Sequence, residues 1–398
     1  MTWWNRLKYK DYDGIICDGS IRSGKTVSMT VGFILWSMSS FNNQNFAMCG
    51  KTIESLRRNV ITLMPQWLEG IVTITERRSE NKLIITDGET VNTYYLFGGK
   101  DESSYTLVQG ITLAGVLFDE VALMPRSFVE QATGRCSVDG SKFWFNCNPE
   151  NPGHWFYVEW IKKAKERKCV YLHFTMNDNL SLSEKIKARY EAMYSGVFYR
   201  RYILGLWVKA EGLVYPMFNR AAHTVKNVPA VSPRHRYYVA VDYGTVNPFA
   251  AGLYDYDPHA QKAIMVKELY YNGGSEKRVD NEAYYKMLRE LIGDYPIEYI
   301  IIDPSAASMI ETIQKYSEFL VVRADNDVLN GIQDVTKFLN AGCLYFHKSC
   351  KNTFIEFETY SWDEESEEDR VIKTNDHSMD QLRYFCRTAL RGELKWVV

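Results

Sequence analysis

Several patterns that would narrow the class of this protein are missing from its sequence. The eight cysteines include no C-x-x-C pair, and several lie inside apolar runs, which is typical of reduced, buried thiols in a cytoplasmic protein. Residues 1–6 lack the apolar core of a signal peptide, and no later apolar run reaches membrane-spanning length. We therefore expect no membrane association.

An excess of basic charge is also missing. The formal net charge is -2, which excludes the uniformly basic surface of a protein that holds nucleic acid tightly and passively, although local basic tracks remain open. The sequence contains no repeats, and six of its seven histidines are dispersed without zinc-site spacing. The histidines therefore indicate no zinc site, and the candidate metal ligands are carboxylates.

The length of the chain predicts two domains, because 398 residues exceed one ordinary hydrophobic core. Glycines and prolines interrupt any long helix between residues 207 and 236. We predict a first domain over residues 1–208, a linker over 209–236 and a second domain over 237–398.

A glycine-rich stretch near the N-terminus matches the phosphate loop of nucleoside triphosphatases, G-x-x-x-x-G-K-[ST], at every fixed position. An apolar strand pattern precedes it and a helical pattern follows it, as the motif requires. Backbone N–H groups of such a loop face the phosphates, Lys25 adds a positive charge and Thr26 offers a hydroxyl to Mg²⁺. The alternative, a glycine turn with a surface lysine, does not explain the two flanks. The predicted ATP-binding residues are Gly19, Ser20, Ile21, Arg22, Ser23, Gly24, Lys25 and Thr26.

Two adjacent carboxylates, Asp119 and Glu120, follow an apolar strand pattern. A parallel sheet presents its ligands at such strand ends. Asp119 would hold Mg²⁺ from the side opposite Thr26, and Glu120 would polarise the attacking water. An acidic strand-end turn is the alternative. The spacing of roughly ninety residues after the phosphate loop favours catalysis.

Two further residues are candidates for the ATPase site. The strand pattern over 142–146 ends in Asn146, Cys147, Asn148 and Pro149. An amide there could contact the γ-phosphate or the water, but an Asn-Pro turn explains the same residues equally well. Arg22 could neutralise transition-state charge, and a surface arginine is its alternative.

The first half alternates strand and helix patterns, which predicts a mostly parallel sheet covered by helices. Strand patterns occupy residues 14–17, 45–50, 114–118, 142–146 and 169–174, and the segment 71–97 predicts an antiparallel excursion. The second half predicts three antiparallel strands that begin with 237–242, then a helix and a strand over 297–303.

Three carboxylates in the second half form an ordered set. Asp242 and Asp303 end apolar strand patterns, and Asp380 lies on a helix for which Asp376 is the predicted N-cap. His377 precedes Asp380 by three positions and shares its helix face. Such a set suits a phosphodiesterase that uses two Mg²⁺ or Mn²⁺ ions. Strand-end turn residues and a capping histidine are the alternatives.

Taken together, these motifs resemble the large terminase subunit of tailed bacteriophages over nearly the whole chain. The resemblance rests on the phosphate loop with its internal arginine, the Leu-Phe-Asp-Glu and Asn-Cys-Asn-Pro strand ends, and the segment 109–115. It extends to the interdomain segment 205–216, to Val241-Asp242-Tyr243-Gly244 and to Asp376-His377-Ser378-Met379-Asp380.

This resemblance implies a P-loop NTPase domain of the additional-strand, RecA-like class and a C-terminal RNase H-like nuclease domain. It implies that ATP hydrolysis drives double-stranded DNA into a procapsid and that the nuclease cuts concatemeric DNA. By the same resemblance, Asn148 couples hydrolysis to movement, and Asp242, Asp303 and Asp380 bind the nuclease metals. The adenine-binding residues stay unassigned.

The partners implied by the resemblance are double-stranded DNA, the portal protein and the small terminase subunit. A homo-oligomeric ring on the procapsid portal is implied, with a monomer in isolation as the alternative, in the cytoplasm of a bacterial host. Two other functions remain open: a helicase-nuclease of DNA repair, which would unwind duplex DNA, and a nucleotide-binding assembly protein with a non-catalytic second domain.

Overall fold

A computed structural model describes residues 2–9, 11–244, 248–272, 279–366 and 368–393. The chain forms two compact units, one of Met1–Lys187 with Tyr199–Lys209 and the other of Ala188–Phe198 with Ala210–Val398. In the part of the chain just defined, no helix is long and apolar enough to cross a membrane.

An eight-stranded sheet forms the centre of the first unit. Its strands are β1 (Gly14–Gly19), β2 (Asn45–Gly50), β3 (Thr73–Arg77), β4 (Lys82–Thr86), β5 (Val91–Gly98), β6 (Gly115–Phe118), β7 (Lys142–Asn146) and β8 (Cys169–Phe174). The order is β3-β4-β5-β2-β6-β7-β1-β8, parallel from β5 to β8 and antiparallel at β3 and β4. The predicted parallel sheet and its antiparallel excursion are thus confirmed.

Helices cover both faces of this sheet. They are α1 (Lys25–Ser40), α2 (Ile53–Leu56), α3 (Met64–Trp67) and α4 (Arg126–Gly134). Further along the chain, α5 (Glu184–Met193) begins in the first unit and ends in the second, and α6 (Gly196–Phe198) lies in the second unit. Ile15 and Cys17 of β1 pack in one core with Phe33 of α1, whereas Ile16 packs in another with Phe128 of α4. Burial on both faces explains why β1 is a continuous apolar run.

A seven-stranded sheet forms the second unit. Its strands are β9 (Thr224–Val225), β10 (Arg236–Asp242), β11 (Phe249–Asp257), β12 (Lys262–Tyr271), β13 (Ile297–Ile302), β14 (Val321–Arg323) and β15 (Leu344–His347), in the order β14-β13-β10-β11-β12-β15-β9. The predicted antiparallel start is confirmed for β10, β11 and β12. Val241 pairs in parallel with Ile302, so Asp242 and Asp303 follow at the same sheet edge.

The other helices of the second unit are α7 (Arg220–His223), α8 (Asn281–Ile292), α9 (Ala307–Tyr316), α10 (Val328–Asn340), α11 (Lys351–Thr359) and α12 (His377–Tyr384). Short π-helical turns lie at Arg57–Ile61, Tyr157–Ile161, Tyr199–Ile203 and Phe385–Ala389. Short 3₁₀ turns lie at Trp3–Asn5, Leu7–Tyr9, Arg78–Glu80, Glu102–Val108, Val121–Leu123 and Met176–Asp178.

The compact units differ from the sequence-based boundaries in two places. Thr224–Val225, inside the segment 209–236, pairs with β15 and so extends the second sheet. Residues 188–198, inside the segment 1–208, belong to the second unit, where Phe198 packs edge-on against Trp362. Glycine and proline interrupt helices, but they do not prevent a short strand from pairing. The boundaries 1–208, 209–236 and 237–398 therefore stay a prediction.

Candidate active sites

The phosphate loop closes tightly between β1 and α1. Gly19 has a φ of +125°, and a Cβ atom there would lie 1.8 Å from the carbonyl oxygen of Phe174. Only glycine fits this backbone and this approach. The Ser20 N–H donates to the Phe174 carbonyl at 2.9 Å, and the Ile21 N–H donates to the Tyr202 carbonyl at 2.8 Å. The backbone of the loop is therefore hydrogen-bonded to the end of β8 and to the segment that contains Tyr202.

Lys25 lies at the centre of this loop. Its Nζ donates to the Gly19 carbonyl at 3.1 Å, the Ser20 carbonyl at 2.7 Å and Ser23 Oγ at 3.1 Å. It also donates to Asn148 Oδ1 at 3.2 Å, so the structure brings the predicted coupling residue to the loop lysine. Burial lowers the pKa of Lys25.

Thr26 and Asp119 meet where β6 ends. Thr26 Oγ1 donates to Asp119 Oδ1 at 3.1 Å. Burial raises the pKa of Asp119, while hydrogen bonds from Asn146 and Thr26 and the charge of Lys25 oppose the rise. A hydroxyl and a carboxylate from two different motifs are thus in direct contact, and their predicted role as Mg²⁺ ligands stays a prediction.

Glu120 is held in a left-handed backbone conformation with a φ of 60°. Burial, followed by the charge of Asp119, raises the pKa of Glu120 to about 7. A half-buried carboxyl group with a pKa near neutrality is suited to accept a proton.

Asn146 belongs to the strand end in which the sequence offered an amide candidate, but only Asn148 was given a role there. Its Nδ2 donates to Asp119 Oδ1 at 2.9 Å, and its Oδ1 accepts from the Glu120 N–H at 3.1 Å. Since β7 is the parallel neighbour of β6, the last residue of β7 lies beside Asp119. Its position at the end of the neighbouring strand was the available signal. Asn146 thereby holds the carboxylate of Asp119 and the backbone of Glu120.

Arg22 lies on the exposed rim of the loop, where its φ is 57°. Its carbonyl accepts a hydrogen bond from Asn179 Nδ2 at 2.7 Å. The side chain is therefore at the surface of the first unit, whereas Lys25 and Asp119 are buried.

A second group of polar residues lies in the other unit, where β10 meets α12. His377 Nδ1 lies 2.8 Å from Asp242 Oδ2. Burial alone would lower the pKa of His377, but the hydrogen bond and charge of Asp242 raise it above its ordinary value. These two residues and Asp380 line a cleft of about 440 Å³, together with Lys373.

Asp380 is surrounded by cations. Its Oδ1 accepts from Arg383 Nη2 at 2.6 Å, and its Oδ2 accepts from Lys373 Nζ at 3.0 Å. Asp376 occupies the N-cap position of α12 as predicted, but its side chain makes no capping hydrogen bond and lies 3.0 Å from the same Lys373 Nζ. The predicted capping by the Asp376 side chain was therefore wrong, because the carboxylate is drawn to the lysine.

Asp303 is linked to α12 by Tyr384, whose hydroxyl donates to Asp303 Oδ2 at 3.0 Å. Burial raises the pKa of Tyr384, and the charges of Asp380, Asp242 and Asp303 raise it further. Tyr384 thus contacts Asp303 directly, whereas Asp242 and Asp380 act on it only through their charge. Within the described ranges, however, no group of three or more His, Cys, Asp or Glu side chains is spaced to hold a metal ion.

Comparison with known proteins gives a family. Residues 16–222 match the family described as terminase large subunit, T4likevirus-type, N-terminal. The large terminase from a thermophilic bacteriophage is 50% identical, with a TM-score of 0.91 over 98% of this chain and 97% of that chain. The complex of that terminase with ADP is 49% identical, with a TM-score of 0.89 over 98% of each chain. Its complex with ATP-γ-S is 49% identical, with a TM-score of 0.87 over 98% of this chain and 97% of that one.

Comparison with curated proteins gave no significant match. The structural matches confirm the predicted fold class, a P-loop NTPase domain followed by an RNase H-like nuclease domain. They do not favour the helicase-nuclease or assembly-protein alternatives. The chain therefore belongs to the terminase large subunit family, and it is an ATPase and DNA endonuclease of viral genome packaging.

Proposed function

We propose that the phosphate loop, residues 19–26, binds ATP and that Thr26 and Asp119 hold its Mg²⁺. The observation that carries this proposal is the 3.1 Å contact between Thr26 Oγ1 and Asp119 Oδ1. Hydroxyl and carboxylate oxygens are the ligands that Mg²⁺ prefers. The complexes of the thermophilic phage terminase with ADP and ATP-γ-S support nucleotide binding by this chain. When bound, Mg²⁺ neutralises charge on the phosphate oxygens.

In this proposal Glu120 polarises the attacking water, with Asn146 fixing its backbone. Arg22, at the exposed rim of the loop, neutralises transition-state charge. Asn148 couples hydrolysis to movement: its amide contacts Lys25, so a change in the phosphates that Lys25 binds changes the partners of Asn148.

The nuclease activity is proposed to use two Mg²⁺ or Mn²⁺ ions held by Asp242, Asp303 and Asp380. The donor set fits such ions, because it supplies carboxylate oxygens and one imidazole. Lys373 and Arg383 now pair with Asp380, so a metal ion would have to displace or share these contacts. Bound metal ions stabilise the entering and leaving oxygens of the phosphodiester.

His377 is proposed to contribute to the same metal site. Its Nδ1 is engaged with Asp242, which orients the carboxylate and leaves Nε2 as the nitrogen available to a metal. Lys373 and Arg383 balance the charge of Asp380 and keep it in place.

At the level of assembly, we propose that the ATPase domain spans residues 1–208, the linker 209–236 and the nuclease domain 237–398. The proposed partners are double-stranded DNA, the portal protein and the small terminase subunit, with a homo-oligomeric ring on the procapsid portal in the host cytoplasm. The net charge of -2 supports modest, salt-sensitive DNA affinity, which lets a motor release DNA in each cycle.

Cleavage of supercoiled plasmid tests the site assignment. Wild type and Asp303→Ala are assayed with Mg²⁺, Mn²⁺ and EDTA, and Asp294→Ala, which removes an exposed aspartate of the same unit, is the control. We expect metal-dependent cutting by wild type and the control, and none by Asp303→Ala. Cutting by Asp303→Ala at the wild-type rate would contradict the assignment.

A further inference from the structure

The helix that carries His377 and Asp380 lacks a cap of its own. Asp376, at the N-cap position of α12, makes no side-chain hydrogen bond to the helix. The first-turn N–H groups of a helix have no partner within the helix and need acceptors from elsewhere. The acceptor here is a residue of a different helix.

Glu356 of α11 supplies that acceptor. Its Oε2 accepts hydrogen bonds from the Ser378 N–H at 2.6 Å and from the Met379 N–H at 3.1 Å. Its Oε1 accepts from the Tyr270 hydroxyl at 2.9 Å. The Glu356 side chain is fully enclosed, with 2% of the residue exposed. Every oxygen of this buried carboxyl group is therefore used to hold α12 or to fix the carboxyl itself.

The helix that carries Glu356 is capped in the same manner. Cys350, the N-cap residue of α11, makes no side-chain capping bond. Glu268 of β12 accepts instead from the Asn352 N–H at 3.0 Å and from the Thr353 N–H at 2.7 Å. Since Glu268 and Tyr270 are two positions apart, they lie on the same face of β12. Strand β12 thus holds the start of α11 directly through Glu268, and it holds the start of α12 indirectly, because Tyr270 fixes Glu356.

This arrangement bears on the nuclease site because Ser378 and Met379 lie between His377 and Asp380. Their N–H groups fix the first turn of α12, and this turn sets where His377 meets Asp242 and where Asp380 faces the cleft. Groups that orient metal ligands in this way alter metal affinity when they are lost, typically by 10- to 100-fold.

We propose that Glu356 is a positioning residue of the nuclease, which sets the metal affinity of the site by holding the first turn of α12. This inference rests on the proposed nuclease site at Asp242 and Asp380. In this proposal Glu356 acts through the backbone of α12, and Tyr270 is its supporting partner.

Binding of Mn²⁺ alone to the full-length, nucleotide-free chain, measured by titration calorimetry, tests this inference. Asp380→Asn first defines the binding that belongs to the nuclease site. Glu356→Leu removes both acceptors at similar size, whereas Glu356→Gln keeps an oxygen for the two N–H groups. We expect Glu356→Leu to weaken Mn²⁺ binding about tenfold or more and Glu356→Gln to stay within about threefold of wild type.

Asp280→Ala is the control, because Asp280 caps α8 through the Ala283 N–H at 2.9 Å, and α8 carries no proposed metal ligand. It should lower Tm without changing Mn²⁺ affinity. Wild-type Mn²⁺ affinity in folded Glu356→Leu, or an equal loss in Asp280→Ala, would overturn the inference alone. Unchanged Mn²⁺ binding in Asp380→Asn would overturn the proposed nuclease site and this inference with it. If Glu356→Leu does not fold, a tenfold loss of Mn²⁺ affinity in Glu356→Gln, which keeps the acceptor oxygen, would overturn the inference.

Discussion

Thr26 Oγ1 donates a 3.1 Å hydrogen bond to Asp119 Oδ1, although the two residues are 93 positions apart. One lies at the start of α1 and the other directly after β6, so the parallel sheet brings them together. A hydroxyl and a carboxylate from two separate motifs thus come into contact, and these are the two groups that we propose as Mg²⁺ ligands.

Loss of the Thr26 hydroxyl should lower ATP turnover by roughly 10- to 100-fold, because one proposed Mg²⁺ ligand is removed. Thr26→Val keeps the side-chain shape, and Thr26→Ser restores the hydroxyl as the control. The rate of phosphate release across a Mg²⁺ series measures the effect. Equal turnover by the Val and Ser variants would contradict the assignment.

Glu120→Gln should lower ATP turnover by roughly 10²- to 10⁴-fold and leave nucleotide binding in place, because the amide cannot accept the proton. Glu130→Gln is the matched control, since Glu130 lies exposed on α4. Phosphate release and binding of a fluorescent nucleotide analogue separate the two effects. Turnover near the wild-type rate in Glu120→Gln would refute the role of Glu120.

Asn146→Ala should lower ATP turnover by about tenfold, because Asp119 and the Glu120 backbone both lose a hydrogen bond. Its control is Asn92→Ala, which also removes a buried amide with several hydrogen bonds in the same unit. Both variants should lose on the order of 1–3 kcal/mol of stability. Equal turnover in the two variants would show that Asn146 acts through stability only.

Lys373→Met should raise the Mn²⁺ affinity of the nuclease site several-fold. The lysine ammonium lies 3.0 Å from both Asp376 and Asp380, where it competes with a divalent cation. Lys348→Met removes an exposed lysine of the same unit and should have no effect. The readout is the Mn²⁺ concentration that half-saturates plasmid cleavage. An unchanged or higher Mn²⁺ requirement in Lys373→Met would refute this expectation.

The stability of the chain should depend on pH through Glu356. Burial raises the pKa of Glu356 from 4.5 to about 7, and the hydrogen bonds from Tyr270, Met379 and Ser378 and the charge of His377 oppose the rise. Because the pKa of Glu356 is higher in the folded chain than in the unfolded chain, protonation of Glu356 favours folding. This contribution to the free energy of unfolding is complete below about pH 4.5 and is lost as the pH rises through about 7.

Glu356→Gln does not titrate, so the stability of wild type relative to this variant should fall as pH rises from about 5 to about 8, by on the order of 3 kcal/mol. Urea unfolding with EDTA measures it. The groups that face the site, Tyr270, Asp376 and His377, are common to both proteins. A constant difference across this pH range would contradict the raised pKa.

The phosphate loop and Asp119 could be predicted because local motifs specify them. The sequence shows a strand, a glycine turn and a helix in order, and a parallel sheet places the end of β6 beside that turn. Asp242 and Asp303 were predictable for the same reason, as both follow apolar strands. The motifs thus contain most of the residues proposed for the two sites.

Asn146 and Glu356 could not be recognised as readily, because their roles depend on tertiary contacts. In the sequence, Asn146 is only the last residue of a strand pattern. Its place beside Asp119 depends on β7 being the neighbour of β6, which the sequence does not show. In the sequence, Glu356 is one of two acidic residues on a helix. Its role is visible only in the structure, where it accepts a hydrogen bond from the start of α12. The short strand β9 escaped prediction because two residues carry no periodicity.

Parallel assays of ATP hydrolysis and plasmid cleavage on Glu120→Gln and Asp380→Asn test the central claim most directly, namely that one chain carries two separate metal-dependent sites. Both assays use Mg²⁺, Mn²⁺ and EDTA. We predict that Glu120→Gln loses ATP hydrolysis but keeps DNA cleavage, and that Asp380→Asn loses cleavage but keeps hydrolysis. Loss of both activities in either folded variant, or of neither activity in both, would contradict the claim.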